Sequence, residues 1–184
     1  MSESRKIRKR KEMTEWIVSL LIVAVAVVVI RTFVFCTVAV KGVSMEPNFY
    51  HGNIVAVNRL EYIISQPEKN DIVVCDFEDS KENQKLIKRV IGVPGDLIDF
   101  EWNDEGYYDL VVNMEVVEED YIEEKMYHLG DMSFPYMVKE DEYFVMGDNR
   151  NDSLDSRYNR IGAIEKDEMI GKVFFSLKPF RNID

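Results

Sequence analysis

The sequence predicts a mainly β protein, with a single N-terminal transmembrane helix followed by one β-rich domain. Three observations carry that expectation. An apolar run from Trp16 to Ile30 stands directly behind a cluster of basic residues. Beyond it, short β-branched and aromatic runs alternate with Pro, Gly and Asn clusters, the pattern of strands separated by turns. At 184 residues, without internal repeat or low-complexity segment, the chain has room for about one domain behind the helix.

Residues 1–12 hold six basic residues (Arg5, Lys6, Arg8, Lys9, Arg10, Lys11) and two acids, Glu3 and Glu12. The remainder keeps 17 basic against 32 acidic residues, a formal charge of −15 where the whole chain has −11. So acidic a body excludes general nucleic-acid binding, which needs a basic face. The run from Ile17 to Ile30 falls short of the roughly 20 residues that span a hydrocarbon core. Arg31 need not end it, because a long cationic stem near a helix end snorkels to the interface. Counting through Phe35 or Cys36 completes a span, and Trp16, Phe33 and Phe35 suit its two interfaces. The expected organisation is a cytoplasmic basic tail at 1–12, an anchor at 13–36 and an extracytoplasmic domain at 37–184 in the cell membrane. A cleaved leader is the rival, but Thr37-Val38-Ala39-Val40 offers no clear small-x-small site.

The body reads in order as follows. Val38 and Val40, then Ile54, Val55 and Val57, form two strands broken at Pro47 and His51-Gly52-Asn53. A turn at Gln66–Asn70 leads into a strand at Asp71–Phe77, and a charged, solvated loop follows at 78–85. Leu86–Ile91 is a strand ended by Pro94-Gly95. Leu97–Trp102 and Tyr107–Val117 make a hairpin about Asn103–Gly106. The acidic stretch 118–125 reads as solvated surface, loop or short helix. Tyr143–Met146 and Ile170–Leu177 are the last strands. The two cysteines, Cys36 and Cys75, read as unpaired, buried thiols.

Few residues could carry chemistry. Ser44 sits in a short loop between Gly42 and Pro47, stiff enough to present a nucleophile, although a lone loop Ser is commonly nothing more. The polar run Asp148–Arg157 fails as a calcium loop: Arg150 takes a ligand position and Ser153 the required Gly. The only histidines are His51 and His128, neither with a fixed carboxylate for a triad, and no paired His/Cys set suits zinc. Lys remains. A Ser–Lys dyad needs a neutral amine, so burial must lower it far below the ordinary value of about 10.4. Lys88, among Leu86, Ile87, Val90 and Ile91, has the most apolar setting of any Lys beyond the apolar run. It is either an edge gatekeeper or a buried functional amine.

Taken together, the apolar anchor, VKGVSMEPN at 40–48, NDIVV at 70–74, LIKRVIGVPGD at 86–96 and YFVMGDNRNDSLDSR at 143–157 resemble the type I signal peptidases, in the Gram-positive bacterial form. The likeness spans roughly 16–180 and weakens over 97–140, a variable β-rich insertion. It implies the β-rich catalytic fold shared with LexA-like self-cleaving repressors. It also implies a membrane-bound serine endopeptidase that removes signal peptides from exported preproteins at the outer membrane face. The implied partners are signal peptides and membrane lipid, with no cofactor, metal or nucleic acid. By motif, Ser44 is the nucleophile and Lys88 the general base. Ser153 orients the amine, and Asp155 and Arg157 form a supporting ion pair. Val38, Val40, Met45, Phe49, Leu86 and Ile87 line shallow pockets for small side chains. The Ser44 N–H is one oxyanion donor. Gly42 stands where Gram-negative enzymes place a second donor hydroxyl, as is usual for the Gram-positive form, and Asn48 replaces the usual Thr. A non-catalytic relative that binds exported substrates during assembly is the alternative, although such proteins typically lack the Ser or the Lys.

Overall fold

The computed structural model describes residues 3–30, 34–77 and 84–183. Arg31 and Phe33 of the expected span, and 78–83 of the expected loop, lie outside them. Helix α1 runs Glu3–Val29 and carries both the basic tail and the apolar run. Among the described residues no helix is long and apolar enough to cross a membrane. The apolar part of α1, from Ile17 to Val29, covers roughly 20 Å at 1.5 Å per residue, against a core of about 30 Å. As far as it is described, the helix falls short of the span expected over 13–36. Phe35 and Cys36 do not extend the helix, because they belong to the first strand, β1 (Phe35–Ala39).

The strands follow as β2 (Ile54–Asn58), then, after the short helix α2 (Glu61–Ile64), β3 (Ile72–Phe77), β4 (Gln84–Gly92), β5 (Leu97–Trp102) and β6 (Tyr108–Val112). Next come β7 (Glu115–Val116), β8 (Tyr136–Met137), β9 (Glu142–Met146), β10 (Ile164–Glu165), β11 (Met169–Lys178) and β12 (Phe180–Asn182). The larger sheet has the order β1-β2-β11-β3-β4-β9-β10, with β12 on β11; the smaller is β7-β6-β5-β8. The expected long strands are all present. The run expected at 107–117 is two strands, because Asn113 and Met114 turn with positive φ of 56° and 68°.

Alternation along the strands sorts side chains between two faces. Val73, Cys75, Val90, Tyr143 and Val145 pack on one side of the larger sheet. Val40, Met45, Phe49, Val55, Val74 and Ile87 pack in a second cluster. A third joins the sheets through Ile91, Phe144 and Met146 against Ile98, Phe100 and Leu110. Each fully buried side chain of this size stabilises the fold by about 1.5–3 kcal/mol. The strands that matter for the site, β3, β4 and β9, therefore lie in the interior.

Candidate active site

The Ser44 loop leaves β1 and returns to β2. It is closed at its base by Val40 N–H to the Asn53 carbonyl at 2.9 Å and Gly52 N–H to the Val40 carbonyl at 3.0 Å. Gly42 takes φ of +82°, a conformation that side chains resist. Its N–H donates to His51 Nδ1 at 3.2 Å, so His51 serves the turn. Met45 and Phe49 anchor the loop in the core, at 1% and 0% exposure. Ser44 itself is half-buried. Its carbonyl accepts from the Asn149 N–H at 3.0 Å, while its own N–H donates to nothing among the described residues.

Lys88 pairs with Val73 of β3, and the next residue, Arg89, pairs with Met146 of β9. A strand paired on both sides is no edge, which disposes of the gatekeeper. Lys88 is 2% exposed, and its amine donates to Ser153 Oγ at 3.1 Å. Burial pushes its pKa below the ordinary lysine value. The charges of Asp155 and Cys75 oppose that shift without cancelling it, and Arg157 adds to it.

Strand β9 delivers the wall that holds this amine. Asp155 receives Arg157 Nε and Nη2, each at 2.8 Å, and the Gly147 N–H at 3.0 Å. Both side chains are essentially inaccessible. Burial alone would raise the Asp155 carboxyl. The Arg157 bonds and charge, with Lys88 and the Gly147 N–H, outweigh it and hold the group below the usual carboxylate range. Gly147 is where the parts meet. A methyl there would overlap both the Ser44 carbonyl oxygen and the Ser153 hydroxyl. The Ser44 loop thus abuts Ser153, whose hydroxyl binds the Lys88 amine. No direct hydrogen bond joins Ser44 Oγ to Lys88 Nζ.

The profile of the family described as "Signal peptidase, peptidase S26" matches residues 13–178. The chain belongs to the signal peptidase S26 family. It is 36% identical over 185 residues to signal peptidase I P of Bacillus subtilis subsp. natto, covering 95% of this chain and 96% of the relative. It is 36% identical over 186 residues to signal peptidase IB of Staphylococcus aureus strain Mu50, covering 93% and 92%. A crystal structure of a signal peptidase I from Enterococcus faecalis V583 aligns at 26% identity over 59% of this chain and 97% of that one. Its TM-score of 0.42 leaves the fold to be argued from this chain's own strands.

In this S26 peptidase the candidate pocket residues divide. Val38, Val40, Met45, Phe49 and Ile87 share one cluster. Cys36 and Val38 pack at its margin, so alternate residues of β1 do point the same way. Leu86 faces the other side of β4 and packs against the Val73 cluster. Cys75 is buried and Cys36 only half-buried, and both are free thiols.

Sequence reasoning missed a second set of buried charges. Arg89 binds Asp148 through Nε and Nη2, each at 2.8 Å. The Asn48 amide donates to Asp148 Oδ2 at 2.9 Å, which gives the Asn-for-Thr replacement a structural use. Arg150 pairs with Glu119, whose side chain is only 8% exposed. The stretch 118–125 is therefore corrected: Glu119 and Tyr121 turn inward. The available signal was the excess of arginines beside the site, each of which needs a partner if buried. Among the described residues no group of His, Cys, Asp and Glu could hold a metal ion.

Proposed function

We propose that this S26 peptidase is a serine endopeptidase that removes N-terminal signal peptides from exported preproteins, using Ser44 as nucleophile and Lys88 as general base. The observation that carries the reading is a lysine amine sealed in a sheet interior, bonded to the Ser153 hydroxyl beside the Ser44 loop. As Ser44 Oγ attacks the scissile carbonyl, its proton passes to the neutral amine. The Ser44 N–H stabilises the oxyanion. The resulting ammonium protonates the leaving nitrogen as the C–N bond breaks, releasing the mature protein and leaving an acyl ester on Ser44. Water then attacks that ester, giving its proton to Lys88, and the signal peptide leaves as Ser44 regains a proton. In a free enzyme such a pair is often longer than a hydrogen bond and tightens only on substrate.

The cluster of Val38, Val40, Met45, Phe49 and Ile87 suits small apolar side chains of an extended substrate laid beside β1, a form of strand addition. Membrane attachment at the extracytoplasmic face belongs to the same proposal. Trp16, Leu20 and Leu21 of α1 are 78%, 72% and 63% exposed, apolar surface that lipid would cover. The basic residues ahead of them favour an N-terminus on the cytoplasmic side.

Cleavage of a preprotein by the purified full chain in detergent tests the chemistry. Ser44→Ala and Lys88→Ala should each abolish it. Activity surviving in either variant defeats the dyad, and a wild-type chain that binds signal peptides without cutting them points to the assembly role instead.

A further inference from the structure

The segment Glu119–Tyr121 comes from the weakly similar stretch 97–140, yet it is fastened to both halves of the site. On the Lys88 side, the Tyr121 ring lies against the Arg89 guanidinium, with Cζ 4.0 Å from the ring centroid. Arg89 directly follows Lys88 in β4 and is locked to Asp148, with side-chain exposures of 7% and 0%. On the Ser44 side, the Asn48 amide donates to the Tyr121 carbonyl at 2.7 Å as well as to Asp148. Arg150 closes the ring. Its Nη1 donates to Glu119 at 2.8 Å and its Nε to the Gly147 carbonyl at 3.0 Å. The Tyr121 hydroxyl also donates to Glu119 at 2.8 Å. A buried guanidinium is tolerated only when its donors and faces are occupied. Here the occupant of one Arg89 face is Tyr121.

We infer that Tyr121, steered by Glu119, is a positioning residue that holds the Ser44 loop at its working distance from the Lys88 strand. The inference rests on the Ser44–Lys88 reading proposed above. Because no hydrogen bond spans the two reacting groups, their separation is set by what ties loop to strand, and Asn48–Tyr121–Arg89 is such a tie. It acts on geometry rather than on substrate contact, so its removal lowers turnover and leaves substrate affinity in place.

The test uses the full-length chain in detergent on a preprotein substrate. Tyr121→Leu should lower kcat at least about 10-fold, a loss within reach of a displacement well under 1 Å, while KM stays near native and thermal unfolding shows a folded protein. Tyr121→Phe, which keeps the ring, should restore most of kcat. Asn48→Ala cuts the same tie from the other end, together with the Asn48–Asp148 bond, so the double variant should be little worse than Asn48→Ala alone. A folded Tyr121→Leu with native kcat, or one whose loss lies in KM, overturns the inference. If that variant fails to fold, Asn48→Ala decides, and native kcat there overturns it. Activity in Ser44→Ala or Lys88→Ala would instead defeat the underlying reading.

Discussion

A lysine sealed inside a sheet carries a cost that depends on pH. The folded-state value of Lys88 is lowered, with burial the largest cause. Between that value and the ordinary one of about 10.4 the folded chain binds fewer protons than the unfolded chain, so stability rises with pH across this window. Below the lowered value the whole cost is present, and above about 10.4 it is gone. Replacing the amine by a shape-matched apolar chain removes that cost. Lys88→Met should abolish cleavage yet stabilise the fold by on the order of 1 kcal/mol at neutral pH. Thermal melts taken from pH 6 to about 10 should show the advantage shrinking as pH rises; an advantage constant with pH would contradict it. Native turnover should climb with pH along a limb set by the lowered Lys88 value. Gly147 makes a second test at this scale. A methyl at that position would displace the Ser44 carbonyl or the Ser153 hydroxyl. Gly147→Ala should therefore cut kcat/KM by about 100-fold. Preprotein cleavage by a folded variant at native rate would show that the contact is not needed.

At the scale of elements, three strands and one loop build the site. β3 and β9 flank β4 and remove Lys88 from water, and the chain leaving β9 carries Ser153, Asp155 and Arg157 back over the amine. Ser156 braces this return by accepting the Val145 N–H at 2.9 Å and donating its own N–H to the Val145 carbonyl at 3.0 Å. β11 shows the opposite condition. Its Ser176 is fully buried, and the hydroxyl has no hydrogen-bond partner among the described residues. An unsatisfied buried hydroxyl costs about 1–3 kcal/mol, so Ser176→Ala should raise stability by about 1 kcal/mol in urea unfolding without altering cleavage. Loss of stability there would mean that the hydroxyl is bonded. The acidic stretch 118–125 illustrates what local reading cannot weigh. Glu119 and Tyr121 look like surface residues in sequence, but Arg89 and Arg150 draw them inward as partners.

For the whole molecule, the relation between α1 and the sheet matters most. The helix's apolar half is covered by nothing among the described residues, and β1 begins at Phe35, only a few residues later. The Ser44 loop then follows β1 directly, so a helix resting in lipid would keep Ser44 near the membrane surface. Full-length chain should sediment with membranes and come off only in detergent; recovery in the soluble fraction at high salt and alkaline pH would defeat the attachment. Much of this was legible in the sequence. β-branched and apolar runs bounded by turn residues marked β1 to β4, β9 and β11, and alternation marked β5, because these local patterns suit a strand wherever it lies. Too few histidines and no metal-ligand set left a lysine as the candidate activator, and the apolar neighbours of Lys88 made it the one to examine. What only the tertiary structure decided is which strands flank which. That placement put β4 in the interior, brought Ser153 to the amine across 65 residues of sequence, turned Leu86 away from the Val40 cluster, and ended the helix before Phe35. These outcomes depend on long-range pairing and on competition for partners, and such terms do not appear in a residue's own neighbourhood along the chain.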